Sequence, residues 1–154
     1  MLKAGWAAIA LLLLASPCVA ADDPPPQVQS ADGTSITMRV PYKGTETYQL
    51  VKLVLKAAGW APGFRIFIDD PKAESRTPTS DPHFATSIVF YPVLDDVVPR
   101  RYEYEIPVRN VLDRLADEIM DKTEMPVTLV VVPAKDGVIE DISNILVEKV
   151  EFEP

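Results

Sequence analysis

A chain of 154 residues with a formal net charge of −8 is long enough for one domain and short for two. Such an acidic surface repels nucleic acid and anionic membranes, which excludes both as partner classes. One histidine and one cysteine also leave it without the ligands or nucleophile pairs that most metal centres and covalent enzymes need.

Residues 1–21 read as an export signal. Lys3 supplies a positive start, residues 7–15 are unbroken apolar sequence, and Ser16-Pro17-Cys18-Val19-Ala20 adds a breaker and small residues before a cut after Ala20 or Ala21. The apolar run is short for a bilayer core of about 30 Å, and Asp22-Asp23 follows it, so the expected product is secreted or periplasmic with no membrane attachment after cleavage. Cys18 is removed with the signal. The mature chain then has no disulfide and must stand on its hydrophobic core. Residues 22–33, with Pro24-Pro25-Pro26, read as a Pro-rich flexible leader, and residues 34–154 as the domain.

Ile36, Met38 and Val40 alternate with polar neighbours, the pattern of a half-buried strand. Val51, Leu53 and Leu55 against Lys52 and Lys56 predict a second strand, with a helix over 48–58 as the alternative. Gly59-Trp60-Ala61-Pro62-Gly63 breaks the chain before a short strand in which Phe64, Ile66 and Ile68 face one way. Residues 69–82 carry Pro71, Pro78 and Pro82 among Ser, Thr and charges, a long loop of the functional or mobile kind. Phe84, Thr86, Ile88 and Phe90 on one face, with small or apolar residues on the other, predict a strand in the middle of a sheet.

Residues 93–100 form a second loop. Tyr102, Tyr104 and Ile106 alternate with Glu103 and Glu105 in a one-sided strand that Pro107 stops. Val111, Leu112, Leu115 and Ile119 fall at helical spacing, which predicts a helix over 111–121 with Asn110 as its N-cap. Residues 127–132 are a uniformly apolar strand, Asp136-Gly137 a turn, and 145–152 a closing strand. The pattern is mainly β: an antiparallel β-sandwich of about seven strands with one short helix.

Chemistry is sparse. His83 is the single candidate metal ligand, with Asp81 or Asp70 as its nearest companions, and a tetrahedral zinc site normally needs a fuller Cys/His set. Ser80-Asp81-Pro82-His83 looks like triad material, but neighbours along a loop do not give triad geometry. Carboxylates and carbonyls in the 69–81 loop suit Ca²⁺, though without an EF-hand pattern. Met120 and Met125 read as packing residues. The expectation is a non-enzymatic domain with no catalytic residues, no metal and no cofactor of its own.

The order of the strands resembles one family. Phe64-Arg65-Ile66-Phe67-Ile68, a variable loop and Phe84-Ala85-Thr86-Ser87-Ile88-Val89-Phe90 are similar to the paired strands in the C-terminal β domain of tyrosinases and polyphenol oxidases. The strand 102–106, the helix with Val111-Leu112 and Leu115, Asp136-Gly137 and Lys149-Val150-Glu151-Phe152 continue the likeness in order. In that family the domain is a cap over the dicopper site of the catalytic domain and keeps the enzyme latent. The resemblance therefore implies an exported accessory that binds or shields a separate type-3 copper oxidase, the copper belonging to the partner. Val97, Val98 and Pro99, an apolar loop tip between acidic and basic flanks, are the candidate docking residues. The alternative is a periplasmic module binding a small ligand or another envelope protein, unrelated to copper enzymes.

Overall fold

The computed structural model describes residues 25–30, 33–44, 47–58, 63–90, 98–132, 142 and 144–154. Where the sequence alternates, it forms strands with one face inward. In β2 (Ser35–Pro41) Ile36, Met38 and Val40 are buried, while Thr37 and Arg39 point the other way. In β3 (Leu50–Ala57) Val51, Leu53 and Leu55 lie in the core, so the strand reading holds over the helix. Tyr102, Tyr104 and Ile106 of β6 (Arg100–Pro107) pack inward as their spacing requires.

The remaining strands are β1 (Gln27–Gln29), β4 (Phe64–Ile68), β5 (Phe84–Ile88), β7 (Glu124–Val131) and β8 (Ile145–Glu153). They build a five-stranded sheet in the order β1-β2-β7-β4-β5 and a three-stranded sheet in the order β6-β3-β8. Every pairing is antiparallel. The inner faces of the two sheets share one apolar core, which makes the fold a β-sandwich. Each fully buried Leu, Ile or Phe in it contributes on the order of 1.5–3 kcal/mol.

Three expectations need correction. The first concerns the strand that holds Phe84 and Ile88, which lies at an edge of the described sheet; the middle is held by β7, between β2 and β4. Val127 and Leu129 of β7 face the core, and Val130 and Thr128 are equally buried on the other side. A uniformly apolar strand marks two covered faces, whereas in β5 the small residue Ser87 is exposed, as is Val89 beyond the strand's end. The second correction is the leader. Within it Gln27–Gln29 form β1, with Gln27 opposite Met38, and Gln27 Nε2 donates to the Val147 carbonyl at 2.7 Å. Backbone pairing makes this strand without a buried side chain, since Val28 is 69% exposed.

The third is the helix. It is two short pieces, α1 (Arg109–Arg114) and α2 (Ala116–Ile119), separated at Leu115. Val108, not Asn110, is the N-cap: its carbonyl accepts from Val111 and Leu112, and no side chain caps it. The predicted stripe survives the break, because Leu115 stays buried with Val111, Leu112 and Ile119.

A β-bulge in β5 re-aims part of that strand. Ile66 pairs with Thr86 and Phe67 with Phe84, leaving Ala85 as the extra residue. Ala85, Ile88 and Phe90 therefore serve the main core, while Phe84 turns to the opposite face and meets Phe67 edge-on at 5.7 Å. A second bulge, at Glu148 of β8, presents that carboxylate to Lys56 and Arg101, both at 3.0 Å. The Lys56 ammonium, then the Arg101 guanidinium, hold the Glu148 carboxyl below the usual carboxylate range. Solvent reaches this half-buried group and screens it, so its contribution to stability is small; it is present at neutral pH and lost as pH falls through its lowered range.

Gly44 lets the chain pass close against the end of α2. A Cβ on Gly44 would stand 2.2 Å from the Met120 carbonyl oxygen, a backbone atom with little room to move. Gly44→Ala is expected to destabilise the fold by about 1–3 kcal/mol in urea unfolding, since the overlap must be relieved by backbone displacement.

Candidate functional site

The loop 69–83 joins β4 to β5 and carries the histidine around which the sequence concentrated its chemistry. Its composition suggests a slack segment; the structure shows a strapped one. Asp69, the first residue after β4, takes φ 64°, a left-handed conformation that Asp tolerates better than most residues. Its amide donates to the Pro126 carbonyl at 2.7 Å, and its side chain, 5% exposed, accepts from Lys122 Nζ at 2.6 Å.

Two arginines then hold the loop by its carbonyls. Arg65 Nη1 donates to Ser75 and Thr77, each at 3.1 Å. Arg114 Nη2 donates to Pro82 at 2.8 Å and to Phe84 at 3.1 Å, gripping the backbone on both sides of His83. Beneath the loop, Ala73 packs on Phe67 and Val130, with Phe84 against them. This small second core is why the outer face of β7 is dry.

His83 sits between these straps. Its carbonyl accepts from the Ile68 amide at 2.9 Å, and its Nδ1 lies 2.9 Å from Asp81 Oδ1, which also accepts from the His83 amide at 2.9 Å. The companions expected from the sequence are both present: one ligand atom each of Asp70, Asp81 and His83 lie within 4.8 Å of one another. Asp69, His83 and Glu118 make a second such group through the same histidine. Ser80 is exposed, and among the described residues no bond joins it to His83. The Asp81–His83 contact has the form of a triad's Asp–His pair, and among the described residues Ser80 does not complete it.

The expected docking tip is partly in view. Val98 is 67% exposed, and Pro99 is exposed beside it; Val97 lies outside the described residues. Val89, just after β5, is 60% exposed. Asp136-Gly137, Trp60 and residues 1–21 also lie outside the described residues. Of the two methionines, Met125 is fully buried and Met120 is 65% exposed, so only the first is a packing residue.

Sequence reading missed a cleft of about 300 Å³ between the helices and the segment after β2, lined by Tyr42, Tyr48, Arg109, Leu112 and Met120 among others. Burial of the Tyr42 ring, which packs at 5.4 Å from both Tyr48 and Phe152, raises its hydroxyl above the ordinary tyrosine range. Pairing of residues so far apart in sequence left no local signal.

No family model matches this chain, and no curated protein matches it. Solved structures of a polyphenol oxidase share its fold. A recombinantly expressed latent aurone synthase, a polyphenol oxidase, aligns with a TM-score of 0.52 at 18% identity, over 86% of this chain and 27% of its own. Latent aurone synthase from a natural source aligns with a TM-score of 0.52 at 15% identity, over 86% of this chain and 29% of its own. The chain thus spans less than a third of the length of either enzyme. At this identity the likeness is one of fold: a β-sandwich similar to part of a polyphenol oxidase.

Proposed function

We propose that this chain is a non-catalytic, exported accessory domain, equivalent to the C-terminal cap of polyphenol oxidases, that binds and shields a type-3 copper oxidase made as a separate chain. The observation that carries this reading is the extent of the fold likeness. Most of this chain aligns with a minor part of enzymes that are themselves latent. With one histidine, these 154 residues do not make a dicopper ligand set by themselves, and in this reading that chemistry belongs to the partner. The contact surface in this reading is the tip at Val98 and Pro99, where an exposed apolar side chain beside a net acidic domain offers an anchor.

The test uses the mature protein isolated from the exported fraction, whose N-terminus is expected at Ala21 or Asp22. Added to a cap-less type-3 copper oxidase from the same source, it is expected to co-elute with the enzyme and slow diphenol oxidation in proportion to its concentration. Val98→Asp is expected to weaken that inhibition at least about tenfold, as loss of a buried interface anchor does. Unchanged oxidation with no co-elution would sink the reading.

A further inference from the structure

The antiparallel pairing of β4 and β5 brings the two ends of the 69–83 loop side by side. Asp70 comes from the first end, Asp81 and His83 from the second. Their ligand atoms converge within 4.8 Å, and all three residues are half-buried. The backbone around His83 is set by Ile68, and Arg114 holds the carbonyls on either side, so the imidazole is placed before any ligand arrives.

Asp81 has the His83 imidazole as its side-chain partner, and Asp70 accepts from the Lys72 backbone amide. Among the described residues neither Asp70 nor Asp81 has a lysine or arginine partner. Lys122 is committed to Asp69, and Arg65 and Arg114 donate to backbone carbonyls. Two half-buried carboxylates this close, with an imidazole beside them, favour a cation held among them. The imidazole decides which cation. Ca²⁺ and Mg²⁺ select oxygen ligands, whereas one imidazole with two carboxylates suits Zn²⁺ and its neighbours in the first transition row.

We propose that Asp70, Asp81 and His83 form a mononuclear site for a divalent first-row transition cation of the zinc type, which ties the two ends of the loop together. The site takes three protein ligands and leaves the remaining coordination to water. It is separate from the Val98 surface and from any copper in a partner. Asp69, held by Lys122, stands outside it.

The test is calorimetric titration of the purified, metal-stripped protein with Zn²⁺ alone, alongside thermal melting with and without the ion. One saturable site per chain and a raised melting temperature are expected. His83→Ala and Asp70→Asn should each weaken binding by more than the about tenfold that loss of a mere supporting group brings. Both variants should melt like the wild-type protein when zinc is absent, which separates ligand loss from misfolding. Ca²⁺ at the same concentration should leave the melting temperature unchanged. Absence of a saturable site, equal affinity in His83→Ala, or an equal response to Ca²⁺ would each overturn the proposal. So would loss of binding in Glu118→Gln with binding kept in Asp70→Asn, because that places the ion on the other carboxylate group.

Discussion

Phe67→Ala is expected to lower the unfolding free energy by about 3–5 kcal/mol, the usual cost of deleting a buried phenylalanine. Phe67 has no exposed surface and belongs to the smaller core, with Ala73, Val130 and Phe84. That core has few other members, so the cavity cannot be filled by sliding neighbours, and the cost falls toward the upper end. The loss should also be directional. Ala73 is the loop's buried contact with the sheet, so hydrogen exchange in the 69–83 loop is expected to quicken before exchange in β3 does. Equal quickening throughout would mean that the second core is not a separate support. Urea unfolding gives the size, and exchange gives the place.

Asp69→Ala is expected to cost about 2–3 kcal/mol, from two sources that further variants separate. The carboxylate is almost wholly buried and neutralises Lys122, so its removal strands a charge. Lys122 is 39% exposed, and water recovers part of that loss, which keeps the figure below that of a fully buried pair. Alanine must also hold a left-handed backbone at φ 64°, worth roughly 1–2 kcal/mol. Asp69→Gly removes the backbone penalty and keeps the stranded ammonium; Asp69→Asn keeps most of the backbone tolerance and loses the charge. Stability should therefore fall in the order wild type, Asn, Gly, Ala in denaturant titrations. An Ala variant as stable as the Gly variant would show that the positive φ carries no strain.

Much of the sandwich was legible because its signals are local. Alternation at Ile36-Met38-Val40, Val51-Leu53-Leu55 and Tyr102-Tyr104-Ile106 translates directly into one inward face. The edge position of β5 was not legible. Phe84 to Ile88 mixes small and apolar residues on both faces, and sequence does not tell a face covered by a loop from one half open to water. Nor does composition reveal the straps on residues 69–83. Arg65 and Arg114 donate to backbone carbonyls, which every residue has, so the loop's own Pro, Ser and Thr give no sign of being held. The helix break at Leu115 was hidden because the apolar stripe continues through it. Of the site, His83 with Asp81 and Asp70 could be read as neighbours on one loop. Glu118 and Lys122 come from the far side of the chain and had no signal near them.

The extra residue at Ala85 has a consequence for how the molecule behaves in concentrated solution. A regular edge strand exposes an even row of amides and carbonyls on which a strand of another molecule can grow. In β5 the register is broken between Thr86 and Phe84, so an incoming strand cannot stay in phase along its length. Deleting Ala85 would straighten that edge and rotate Phe84 away from its present cluster, and the protein would become more prone to self-association. The irregularity that gives one strand to two cores also protects this edge of the sheet from being extended by a second copy.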